Sequence, residues 1–154
     1  NIPVINRGVK DATGTLVAGA ENTLKGAYTL VDGSNGKPKV ILIATGSELQ
    51  LAVEARIQLE SSGISTRVVS APCLEWFEEQ PESYRSQVLP GNVKARVSVE
   101  AGLNLGWHKY VGPFGETVSI EHFGASADYK TLFREFGMTV ENVVSAAKNS
   151  IKKA

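Results

Sequence analysis

The longest unbroken apolar run is Val40-Ile41-Leu42-Ile43-Ala44. Apolar side chains on both faces predict a strand covered on both sides, as at the centre of a parallel sheet. Shorter β-branched runs recur at Thr66–Ser70, Ala95–Val99 and Thr117–Ile120. Helical spacing fills the intervals. Leu49, Ala52, Val53 and Ile57 share one face of a helix that Ser47 caps, with Gln50 at capping-box distance and Gly63 as a left-handed stop. A helix is predicted around Ser83–Leu89, closed by Pro90-Gly91. A short one over Leu105–Val111 has Trp107, Tyr110 and Val111 on one side and breaks at Gly112-Pro113. Ser126 is placed as cap of a helix with Tyr129, Leu132, Phe133 and Phe136 in a core stripe, stopped by Gly137. Thr139 caps the last helix, whose stripe is Val140, Val143, Val144, Ala147 and Ile151.

Strand and helix alternate, which predicts an α/β domain with a mostly parallel sheet and right-handed crossovers. Tyr28–Val31 is a short strand separated from Val40 by the turn cluster Asp32-Gly33-Ser34-Asn35-Gly36, so it is expected antiparallel at an edge. Residues 1–25 have little periodicity and read as an incoming linker. Asn1–Ile5 is extended in character, and Asp11–Asn22 is a loop rich in Gly, Thr and Ala.

Charge narrows the partners. Sixteen basic residues balance sixteen acidic ones in 154, so no net field recruits nucleic acid or an anionic membrane. The basic cluster Lys148, Lys152 and Lys153 suits the end of a helix. A single cysteine, Cys73, excludes an intrachain disulfide and suits a cytoplasmic protein. No apolar run approaches the roughly 20 residues of a membrane span. The chain opens on Asn1 rather than Met, so a processed product or fragment is expected.

Ligands of open α/β sheets bind beyond the strand carboxyl ends, at the switch in strand order. If the chain winds outward from Val40 in both directions, the exits Thr45–Glu48 and Glu100–Gly102 flank that crevice. Gly46, Ser47, Glu48, Glu100 and Gly102 therefore form the candidate ligand crevice. Each member also has a structural reading. Ser47 suits a helix cap, and G-x-S-x-G is absent because Leu49 stands where the second glycine belongs. Gly46-Ser47 at a helix start could receive an anion, but one glycine is no phosphate fingerprint, and Glu48 opposes it. Glu100 is either a buried acid or, preferably, the partner of an arginine. His108 reads as surface or interface, and His122, beside Glu121, as a structural histidine rather than a base. Two histidines and one cysteine lack metal-ligand spacing. From the residues alone, no catalytic constellation emerges.

Several motifs resemble one family. Gly26-Ala27-Tyr28-Thr29-Leu30 resembles the "GGYVL" that opens C-terminal domains of the transketolase family. Ile43–Glu48 is similar to its "IATGSE", and Arg67–Pro72 to "RVVSMP", with Ala71 departing from the methionine. Arg96–Gly102, Lys109–Gly112 and Phe123–Ala127 match in order and spacing, and Phe136–Val144 resembles the closing "FGFTVDNVV". The resemblance implies a three-layer α/β/α fold with a five-stranded mixed sheet, four strands parallel and one antiparallel at the edge. It implies a domain over residues 26–154, with residues 1–25 as linker from a missing middle domain. It also implies a homodimeric, cytoplasmic parent of the pentose phosphate pathway. The parent's thiamine diphosphate and magnesium sit between its N-terminal and middle domains. A substrate-phosphate arginine precedes the position that Asn1 matches, so the resemblance carries over no catalytic, cofactor-binding or metal-binding residue. The isolated chain is then expected to be inactive and structural, supporting the dimer through an exposed apolar patch that includes Trp76 or Trp107. The alternative is a regulatory nucleotide- or phosphate-binding module at the crevice.

Overall fold

Val40–Ala44 (β2) is buried at all five residues and lies at the middle of the sheet. The computed structural model describes residues 5–154, so the extended reading of residues 1–4 lies outside the described residues. The other strands are β1 (Tyr28–Val31), β3 (Thr66–Ser70), β4 (Arg96–Val99) and β5 (Glu116–Val118), in the order β1-β3-β2-β4-β5. β1 pairs antiparallel with β3, with a register shift between Thr29 and Val31, and the remaining pairs are parallel. The edge placement of the first strand is as expected. Its neighbour is β3 rather than the sequence-adjacent β2, whose two sides are taken by β3 and β4.

Alternation along each strand sorts the side chains between two layers. Val40, Leu42, Ala44, Val68, Val97 and Val99 pack under α1 (Leu49–Ser61) and α6 (Val140–Lys153). Ile41, Ile43 and Val69 pack against Phe77 of α2 (Leu74–Glu78), Val88 of α3 (Glu82–Val88) and Tyr110 of α4 (His108–Val111). The result is the α/β sheet that the alternation predicts, in the three-layer arrangement that the family resemblance implies. Burying each of the valine, leucine, isoleucine and phenylalanine side chains among these contributes about 1.5–3 kcal/mol. Buried Ser150 ties α6 to the sheet, its hydroxyl accepting from the Arg96 amide at 3.0 Å and donating to the Phe114 carbonyl at 2.8 Å.

Two predicted caps are corrected. Gly46–Glu48 forms a 3-10 turn ahead of α1, so Ser47 is already helical and makes no capping bond; its hydroxyl donates to Glu48 at 3.1 Å. The expected capping box is absent, and Gln50 Oε1 has no partner among the described residues. In α5 (Tyr129–Glu135) the cap is Asp128 rather than Ser126. Its carboxylate accepts from the Lys130 and Thr131 amides, each at 3.1 Å, where a hydroxyl has less negative charge to offer. The proposed α5 core stripe is also corrected. No residue of α5 is fully buried and Tyr129 is 40% exposed, because residues 121–130 run along the surface; only Phe133 joins the main core, in part. Gly63 (φ +76°), Gly137 (φ +74°) and the Thr139 cap are where the pattern put them.

The segment before β1 packs as a strap. The Gly8 amide donates to the Val17 carbonyl, Val17 back to Val9, and Ala18 to Leu30 of β1. Val17 is 3% exposed. Arg56 of α1, with no solvent exposure, binds the strap from beneath. Its guanidinium donates to Asp11 Oδ2, Thr13 Oγ1 (3.0 Å) and Thr15 Oγ1 (3.2 Å) on the strap. It also donates to the Asp32 carbonyl after β1 and to the Thr66 carbonyl (2.9 Å) at the start of β3, and lies 3.7 Å from Glu60. Burial alone would raise the Asp11 carboxyl. Hydrogen bonds from Thr13 and Thr15 and the charge of Arg56 outweigh it and hold the pKa below its ordinary 3.8. Glu60 is likewise held below 4.5, against burial, by Ser34, the Thr66 amide and Arg56.

Two outcomes follow from this cluster. Arg56→Met leaves Asp11 and Glu60 without their cation and lowers the unfolding free energy by about 3–5 kcal/mol, measured by urea denaturation. Because both carboxyls titrate lower in the folded than in the unfolded chain, their contribution is complete above about pH 5 and is lost as pH falls through the folded values. Urea midpoints measured across the acid range should be flat above that pH and decline below it.

Candidate functional site

The switch in strand order lies between β2 and β4. The chain leaves β2 through α1 to reach β3 and crosses back beneath the other face to β4. At the carboxyl ends a cleft of about 220 Å³ opens between Thr45 after β2, Ala71 and Pro72 after β3, and Glu100 after β4. Cys73, Glu75 and Trp107 also line it. The exits read as flanking the crevice therefore do meet, through Thr45 and Glu100.

The other candidate residues are placed differently. Glu48 is 7% exposed and receives the Ser47 hydroxyl, while Gly46 (φ +57°) turns the backbone so tightly that a Cβ there would lie 3.2 Å from Glu48 Oε2. Gly46, Ser47 and Glu48 thus form one local group that does not line the cleft. Gly102 supports the wall of the cleft: its carbonyl accepts from Ile120 at 3.0 Å, and a Cβ on it would lie 3.5 Å from Glu100 Cδ. Among the described residues no hydrogen bond joins Glu48 to Glu100.

Glu100 pairs with a tryptophan rather than with the arginine expected from sequence. Its Oε2 accepts the indole N–H of Trp107 at 2.7 Å. Trp107 is 3% exposed, so of the two tryptophans only Trp76, 49% exposed, can belong to a surface patch. The sequence signal for the Glu100–Trp107 pair is weak. It consists of an acid at a strand exit and a tryptophan on the apolar side of the next helix. Beneath, burial and the hydrogen bond to Glu78 push the Tyr110 hydroxyl up to about 12, which removes it as a proton donor or acceptor near neutrality. His108 and His122 are exposed; His122 lies edge-on to Phe136 at 4.6 Å, with Nδ1 2.8 Å from the Phe123 carbonyl oxygen.

The donor set fits neither a diphosphate nor a metal. The cleft carries Glu75 and Glu100 and no lysine or arginine, so a polyanion would meet two carboxylates. Among the described residues no three His, Cys, Asp or Glu side chains gather to ligate a cation.

A family model described as the transketolase-like TK C-terminal domain matches residues 26–139. The chain belongs to the transketolase family, as its C-terminal domain. Transketolase from Mycobacterium leprae is 58% identical over 131 residues, which cover 83% of this chain and 19% of that protein. A solved transketolase from Leishmania mexicana superposes with a TM-score of 0.80 at 41% identity, covering 89% of this chain and 20% of that one. A Pichia stipitis transketolase in complex with sedoheptulose 7-phosphate superposes at 0.78 and 39% identity, covering 86% of this chain and 19% of that one. This transketolase domain spans about a fifth of the length of the relatives it matches.

The cleft geometry predicts different roles for the domain's tryptophans. In Trp76→Phe the remaining emission should be blue-shifted and weakly quenched by acrylamide, and in Trp107→Phe red-shifted and readily quenched. Glu100→Ala strands the indole N–H and should cost about 1–3 kcal/mol in urea denaturation, whereas Glu100→Gln keeps an acceptor and should cost less.

Proposed function

We propose that this domain is a non-catalytic, structural part of a transketolase that moves a two-carbon ketol unit from a ketose phosphate to an aldose phosphate. The observation that carries this is coverage: 19% of the length of the M. leprae relative lies here. In this reading residues 1–25 enter from the preceding middle domain, and residues 26–154 form the C-terminal unit of a cytoplasmic homodimer. Thiamine diphosphate and magnesium, bound by the other domains, supply the carbanion chemistry when present. This chain's own residues fix the strap and offer a docking face. Support for docking comes from the loops after β4 and β5, where Leu103, Leu105 and Phe123 are 58%, 78% and 98% exposed. Large apolar groups exposed at one end of a sheet favour burial against a partner.

A regulatory nucleotide or phosphate at Gly46, Ser47, Glu48, Glu100 and Gly102 is the alternative. It would bring a polyanion between Glu48 and Glu100, and the lining of the cleft offers no cation to offset them.

The purified chain should unfold in one cooperative transition yet show no ketol transfer from a ketose phosphate to an aldose phosphate with thiamine diphosphate and magnesium added. Steady turnover by this chain alone would overturn the reading.

A further inference from the structure

Arg96 opens β4 at the amino end of the sheet, far along the strand from the acidic cleft. Its guanidinium gathers the ends of two helices. Nε donates to the Val93 carbonyl at 3.0 Å, Nη1 to Tyr110 at 2.7 Å, and Nη2 to Leu89 at 3.2 Å and Pro90 at 3.0 Å. These bonds satisfy the carbonyls just beyond α3, at Leu89 and Pro90, and one in the last turn of α4, at Tyr110. They bring only partial charges to a full one. Arg56 and Arg67 each meet a carboxylate, but Arg96 has none among its partners. Four of its five N–H groups are used, which leaves one on Nη1.

Beside it lies a cleft of about 250 Å³ lined by Gly91, Lys94, Arg96, Val111, Gly112, Pro113 and Phe114. No acid lines it. Lys94 Nζ is held over the Phe114 ring, 5.5 Å from its centroid, so a second cation stands at the same opening. Glu116, two residues beyond Phe114, is engaged by Lys153 at 2.6 Å. The space beside Gly91 and Gly112 is open, a Cβ on either meeting no atom within 4 Å, and Gly112 (φ +70°) holds a backbone conformation that side chains disfavour. Both glycines therefore let a small ligand approach the main chain closely.

We infer that this cleft binds a small oxyanion of the phosphate class, inorganic phosphate or a phosphate monoester, between Arg96 and Lys94 in the space left open beside Gly91 and Gly112. The anion would supply the counter-charge that the carbonyls around Arg96 do not. Burial already holds the Arg96 guanidinium below its ordinary pKa, the direction expected for a cation lacking a full counter-charge.

The test is titration of the isotopically labelled chain with inorganic phosphate and, separately, with glycerol 3-phosphate, following the Gly91 and Gly112 amide resonances. Chloride at matched ionic strength is the control. Saturable shifts at both glycines are expected with at least one of the two ligands. The tighter of the two identifies the source. Lys94→Glu alters an exposed side chain, so the fold should survive, as an unchanged urea midpoint would show, while affinity falls about tenfold or more. Arg96→Lys keeps charge but loses the fork and should also weaken binding. Drift no greater than that with chloride, or undiminished affinity in folded Lys94→Glu, would overturn the inference.

Discussion

A guanidinium removed from water needs every N–H matched and its charge answered. Arg56 meets that demand by drawing together segments far apart in sequence: the strap at Asp11, Thr13 and Thr15, the turn after β1 at Asp32, the end of α1 at Glu60, and the start of β3 at Thr66. The strap's apolar contacts, Ile5, Val17 and Ala18, lie at its two ends, so the ion pair and threonine hydroxyls hold the turn between them. β1 in turn receives the strap through Ala18 and closes the sheet edge against β3. The turn of the strap at Asp11, Thr13 and Thr15 thus depends on one buried charge in the first crossover helix.

Two clefts at opposite ends of the parallel sheet differ in sign although the chain is neutral overall. At the carboxyl ends Glu75 and Glu100 line the cleft, and Glu100 serves to hold Trp107. At the amino end Lys94 and Arg96 line another, and Arg96 serves to gather helix ends. The end at which α/β proteins usually hold ligands is here the one least suited to an anion. At that same end the loops leave Leu105 and Phe123 exposed.

The strands were legible in the sequence because continuous β-branched runs have one physical outcome in a two-sided sheet. Thr66–Ser70 is observed with the bounds expected, and Val40–Ala44 is as buried as its composition implied. The caps were less legible. Ser47 and Ser126 are plausible caps by residue type, but a 3-10 turn absorbed one and the carboxylate of Asp128 displaced the other. The candidate crevice was half legible: topology brought Thr45 and Glu100 together, while a local turn carried Ser47 and Glu48 elsewhere. Arg56 was invisible to periodicity. It sits beside Ile57 in the helical pattern and reads as a solvated charge, and its carboxylate partner Asp11 is 45 residues away in a segment with no pattern.

The most direct measurement of the central claim is a double-mutant cycle across the strap and the helix, combining Asp11→Asn with Arg56→Met and reading unfolding free energies in urea. If Arg56 holds the strap through Asp11, the two substitutions should couple by about 2–3 kcal/mol. Effects that add to within about 0.5 kcal/mol would show that the strap is held by something else.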